Sequence, residues 1–182
     1  FFLINYLLSQ NKNVEAKKII KDSREKYGSN LLIKQTEFFF QNDENKKISD
    51  VFDCKNSKDS LAEFFYIIAN LYSSEQDYRL SNFYLRVSLF LNNKFLTNKA
   101  LLAENFYYQK KNEASKNTYY SIKSIGPIYF WYASKNIASI LLDEKGKKYS
   151  VSSLEKDFKL ISNPNFEHYY ELANFYKDNE YY

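Results

Sequence analysis

The sequence predicts an all-α protein of antiparallel helix hairpins stacked as a solenoid. Turn formers are scarce. Three glycines and two prolines in 182 residues are too few for an all-β chain, whereas helices need only short links. Apolar residues, 45% of the chain against 26% charged, mark a globular protein and recur at i, i+3 and i+4, one face of a helix. Alanines sit at a fixed period within these runs. Ala69 lies in YIIANLY, Ala103 in ALLAENFY, Ala138 in KNIASILL and Ala173 in YELANFY, at separations of 34, 35 and 35 residues. A fixed period in this range is the signature of a helical repeat array.

The opening segment, residues 1–30, reads as a degenerate repeat with Ala16 as a small residue of its second helix. In residues 31–59, LLIKQTEFFFQ predicts one helix and NDENKKISDVFDCKNSKDS an irregular connection, with Ile48, Val51 and Phe52 as its apolar contacts. Residues 60–93, 94–127 and 128–164 each read as a helix, a polar break and a second helix. Residues 165–182 read as one further first helix. Second helices carry small residues too: Ser81, Ala114 and Ser150 follow their partner alanines by 12, 11 and 12 residues. Pro127 and Pro164 sit at breaks between hairpins, where an interior helical position would lose a hydrogen bond.

This pattern resembles the tetratricopeptide repeat family: two helices per unit, a small residue in the first, alanine in the second, and proline near the end. The resemblance covers most of the chain, although the family's tryptophan and most of its glycines are absent. It implies a right-handed α-solenoid, a superhelix in which small residues stand where the helices of a hairpin cross. Helices approaching at about 8–10 Å leave little room there. The order of the runs is similar to the middle of larger bacterial proteins with such repeats. A chain lacking methionine even at position 1 reads as part of a longer one, so any export signal lies outside it. Localisation stays open between periplasm and cytoplasm.

Several classes of chemistry find no support. Net charge is +4 with the signs interspersed, unlike the basic face of a nucleic-acid binder. No apolar run reaches the roughly 18 residues of a membrane span. His168 is the only histidine and Cys54 the only cysteine, so neither a metal cluster nor a thiol–imidazole pair is expected, and His168 reads as a packing or surface residue. Three glycines build no phosphate-binding loop. The expectation is a non-enzyme without cofactor or metal. The 18 tyrosines and 16 phenylalanines fit an AT-rich coding bias.

The resemblance also implies where binding would occur. In this family the first helices line a concave groove, and counting from each small residue places Tyr66, Asn70, Glu104, Tyr107, Tyr132, Lys135, Tyr170 and Asn174 on it. Asn5, Asn70 and Asn174 share one position. A carboxylate clamp is excluded, because Tyr66 and Glu104 stand where it needs lysine and asparagine, and Glu104 would repel a carboxylate. RNA reading is disfavoured by Glu63, Glu104 and Glu167. The expected partner is a protein or peptide segment of low net charge. The alternative is a structural superhelix within a larger envelope enzyme or assembly. Ala103→Leu tests the crossing. It should destabilise the protein by about 1–3 kcal/mol through overpacking, and an unchanged thermal melt would remove Ala103 from a tight helix contact.

Overall fold

The computed structural model describes residues 1–28, 30–53 and 55–180. Among these the chain is all-helical and contains no strand. Cys54, the only cysteine, lies outside the described residues. Two compact units divide at Lys111/Asn112, within the 94–127 interval.

The first unit contains α1 (Phe2–Ser9), α2 (Asn13–Lys26), α3 (Leu31–Gln41), α4 (Asn45–Ser49), α5 (Ser57–Ser74), α6 (Tyr78–Leu91) and α7 (Thr97–Tyr108). α1 and α2 close over Ile4, Leu7, Ala16 and Ile20, with Phe40 packed against them. α5, α6 and α7 share a second core of Ala69, Leu85 and Leu102.

The turns follow one recipe. Asn11, Asp43, Gln76 and Lys110 all take left-handed φ angles between 57° and 63°. In each turn the next residue's N–H reaches back to a carbonyl of the helix just ended: Lys12 to Leu7 at 2.9 Å, Glu44 to Phe39 at 2.8 Å, Asp77 to Tyr72 at 2.9 Å and Lys111 to Phe106 at 2.8 Å. A second, shorter loop bond links the left-handed residue's own N–H to Leu8, Phe40, Ser73 or Tyr107. This is the Schellman pairing, usually closed by glycine. Here four side-chain-bearing residues adopt it, so glycine scarcity did not prevent tight hairpins. Asn30, Asn56 and Asp77 then open α3, α5 and α6 by accepting hydrogen bonds from backbone N–H groups of the first turn.

The segment expected to be irregular contains the short helix α4, and it is anchored. Ile48 is fully buried and Phe52 nearly so. Phe52 packs its ring 4.5 Å from Phe2 and 6.2 Å from Phe95. Its carbonyl accepts a hydrogen bond from Asn5 Nδ2, and the Val51 carbonyl accepts one from Asn92 Nδ2 at 2.9 Å. Buried asparagine amides thus satisfy backbone that no helix can.

The α5–α6–α7 group is joined by a polar ladder. Ser81 Oγ donates to the Ala69 carbonyl at 2.8 Å, and Ser88 Oγ donates to the Ala62 carbonyl. From α7, Asn105 Nδ2 donates to Ser81 Oγ at 2.8 Å and to Asn82 Oδ1 at 2.9 Å, while Asn98 Nδ2 donates to Ser88 Oγ at 2.6 Å. Ser73 Oγ completes Asn105 by donating to its Oδ1 at 2.7 Å. Both rungs therefore run alanine carbonyl, serine hydroxyl, asparagine amide, and successive rungs are two helical turns apart.

The second unit contains α8 (Asn112–Lys123), α9 (Pro127–Lys145), α10 (Lys147–Phe158) and α11 (Phe166–Asp178). Pro127 is the first residue of α9, where its missing N–H has no intrahelical partner to lose. Ser150 Oγ donates to the Ala138 carbonyl at 2.6 Å, the same contact as in the first unit. Trp131, Ala138 and Leu154 form the core, with Phe158, Leu172 and Phe175 against it. Lys116 bridges Glu113 and Glu144, each at 2.6 Å, and Lys123 pairs with Asp157 at 2.5 Å. The two hydrogen bonds raise the Lys116 pKa, and Lys116 in turn holds the Glu144 carboxyl below its usual range. In α8 the small buried position is Ser115, fully enclosed, and not Ala114, which is half-buried. The interval from Ala103 to Ser115 is 12 residues, the same as from Ala69 to Ser81 and from Ala138 to Ser150. Ala173 is exposed, since no helix of the described residues covers that side of α11.

The ladder makes a comparative prediction. Asn105→Leu strands the Ser73 hydroxyl and Asn82 Oδ1 and should cost about 2–4 kcal/mol, whereas Asn98→Leu removes one bond and should cost about 1–2 kcal/mol. Chemical denaturation of the two variants gives the ranking directly. An equal loss at both sites would mean that the asparagines act only as volume.

Candidate binding face of the first helices

In the first unit, α5 and α7 lie side by side and present Tyr66, Asn70, Glu104 and Tyr107. Tyr66 is held between core and surface. Its ring meets Phe95 edge-on at 5.3 Å and packs against the Ala69–Leu85–Leu102 core. Burial pushes its hydroxyl above the ordinary tyrosine range. The Asn70 and Thr97 side chains act in the opposite direction, and the Glu104 carboxylate adds to the rise. Tyr66, Asn70 and Glu104 are each half-buried on α5 and α7. Asn70 is braced on its own helix, with Nδ2 donating to the Tyr66 carbonyl at 2.9 Å. Nearby on α5, burial also raises the Glu63 carboxyl. Tyr107 is half-buried, with Lys110 Nζ 5.7 Å from its ring centre.

In the second unit, α9 and α11 present the rest. Lys135 forms an ion pair with Glu171, whose other oxygen accepts the Trp131 indole N–H at 2.5 Å. Lys135 is thus committed to α11 before any partner arrives. Tyr132 sits edge-on to Tyr119 with ring centres 5.9 Å apart. Tyr170 is exposed and stacks on the equally exposed Phe166, and Asn174 is half-buried one turn further on.

One residue serves another end than the sequence suggested, while His168, read as a packing or surface residue, lies with its ring 5.7 Å from that of Trp131. Asn5, aligned with Asn70 and Asn174, is buried and clamps the Phe52 carbonyl. His168 closes the N-terminus of α11: its Nδ1 accepts the Asn165 N–H at 3.2 Å, and its own N–H reaches Asn165 Oδ1 at 3.1 Å. The buried asparagines Asn98 and Asn105 escaped the sequence reading, although their seven-residue spacing matches that of Ser81 and Ser88. Among the described residues no group of His, Cys, Asp or Glu could hold a metal ion, and no helix is long and apolar enough to cross a membrane.

No family model matches the chain, and neither a curated protein nor a solved structure matches it.

Because the Tyr66 ring is partly core, its two halves are separable. Tyr66→Ala should lower stability by about 2–3 kcal/mol through lost packing. Tyr66→Phe should stay within about 1 kcal/mol of the parent, since only the hydroxyl contacts are lost. Thermal melts of both variants would show a large loss for alanine and a small one for phenylalanine if the ring is wedged against Phe95.

Proposed function

We propose that this chain is a non-catalytic protein-interaction scaffold, whose first helices receive a polypeptide segment of low net charge. The reading rests chiefly on Tyr66, Asn70, Glu104 and Tyr107, which α5 and α7 carry half-buried at their surface. A tyrosine, an asparagine amide and a carboxylate on two packed helices can meet a peptide backbone, without the base–nucleophile geometry of a catalytic site. Tyrosine adds contact area at low entropic cost. The alanine period supports reading the hairpins as tetratricopeptide-like repeats of a solenoid, an architecture whose long surfaces serve recognition.

On this reading the first-helix face of each unit is a contact surface by itself, at Tyr107 in one and at Tyr170 in the other. A photo-crosslinking amino acid placed at either position should capture the partner, and the same group at the exposed Lys148 of α10 should not. Glu104→Lys, which reverses the charge at the centre of the face, should weaken capture at Tyr107 by about tenfold or more. Adducts formed equally from all three positions, or capture indifferent to Glu104, would overturn the assignment.

A further inference from the structure

A second surface lies on the outward side of α6, independent of the first-helix face. Arg79, Phe83, Arg86 and Phe90 follow one another at i, i+4, i+7 and i+11, the spacing of a single helix ridge. All four are exposed, Phe90 at 89% and Phe83 at 58%. Large aromatic rings so open on a helix otherwise well packed call for an explanation. Beside the ridge is an open cleft of about 450 Å³ between α6 and α7, lined by Arg79, Phe83, Arg86, Phe106, Gln109 and Lys111. No acidic side chain lines it. None of its three cations forms an ion pair among the described residues, although many other lysines of the chain do. Gln109 adds a buried Nε2 donor with no protein partner.

The chemistry that fits is specific in sign and spacing. Arg79 and Arg86 are seven residues apart, about 10.5 Å along the helix axis, and Phe83 stands between them. The complement is a pair of carboxylates two turns apart flanking an apolar side chain, which one face of an acidic amphipathic helix supplies. Knob-into-hole packing along a ridge of this spacing favours a helix over an extended strand. We propose that α6 and the α6–α7 cleft form a docking site for an acidic amphipathic helix of a partner protein.

The test uses the intact chain and a fluorescently labelled helical peptide with two glutamates two turns apart and a leucine between them. Anisotropy should show saturable binding that weakens as salt is raised. A matched peptide with lysines in place of the glutamates should not bind. The double variant Arg79→Gln, Arg86→Gln should weaken binding at least about tenfold, and Phe83→Ala should weaken it without abolishing its salt dependence. Circular dichroism checks that these exposed substitutions leave the helices intact, and the single variant Arg86→Gln replaces the double if they do not. Absence of saturable binding, equal binding of the lysine peptide, or stronger binding of a single-stranded RNA oligonucleotide to the same arginines would overturn the proposal.

Discussion

Ser81 and Ser88 impose the constraint on which the first unit is built. Each hydroxyl donates to a carbonyl on the neighbouring helix, at Ala69 and Ala62. Those carbonyls already serve their own helix, so the serines reach them only if α5 and α6 lie at close interaxial distance, about 8 Å. That distance permits nothing larger than alanine at positions 62 and 69, and both are fully buried. The serine oxygens keep accepting capacity, and α7 fills it with Asn98 and Asn105. The seat of α7 against α5 and α6 is thereby set by hydrogen bonds as well as by apolar burial. Everything on the first-helix face of this unit inherits that seat, because Tyr66 and Glu104 stand on the two helices that the ladder positions.

The same serine-to-alanine contact recurs at Ser150 and Ala138, which explains why a periodic alanine was a reliable guide to the helices. The alanine is small for a steric reason, and steric reasons show in sequence. Asn98 and Asn105 were not legible, because asparagine is ordinarily a surface or cap residue, and nothing in its identity announces a buried amide with three partners. Asn5 misled for the converse reason: its repeat position matched Asn70, but a non-helical stretch lies across it and takes its hydrogen bond. Ala114 and Ser115 are adjacent and both small, so the pattern could be placed one residue early, and only burial separates them. The segment after α3 was legible in its apolar contacts Ile48 and Phe52, but not in the backbone anchoring that Asn5 and Asn92 supply from outside it.

The candidate face was legible as a set of positions and less so as a set of roles. Tyr66 shows the difficulty. In a chain this rich in tyrosine a ring can serve the core while its hydroxyl serves the surface, and the two uses share one residue letter. Lys135 shows another: its charge looks available in sequence, yet Glu171 engages it, and Trp131 binds the same carboxylate. What these positions expose is therefore more aromatic and less cationic than their sequence implies.

The ladder's two rungs are chemically alike and seven residues apart, and this bears on how the hairpin finds its alignment. A slide of α6 by two turns would bring Ser88 to Ala69 and keep one rung in place. Such a shifted pairing would keep one serine–alanine contact and lose the other, together with the Ser73 and Asn82 contacts of Asn105. The tight turn at Gln76 excludes it. Its left-handed residue and the Asp77 cap, which accepts from the Leu80 N–H at 3.1 Å, fix where one helix ends and the next begins. A slid hairpin would need its reversal inside the first turns of α6. Local closure of such a loop is fast compared with the docking of long-range contacts, so the choice of register is made by a few residues at the bend before either rung forms.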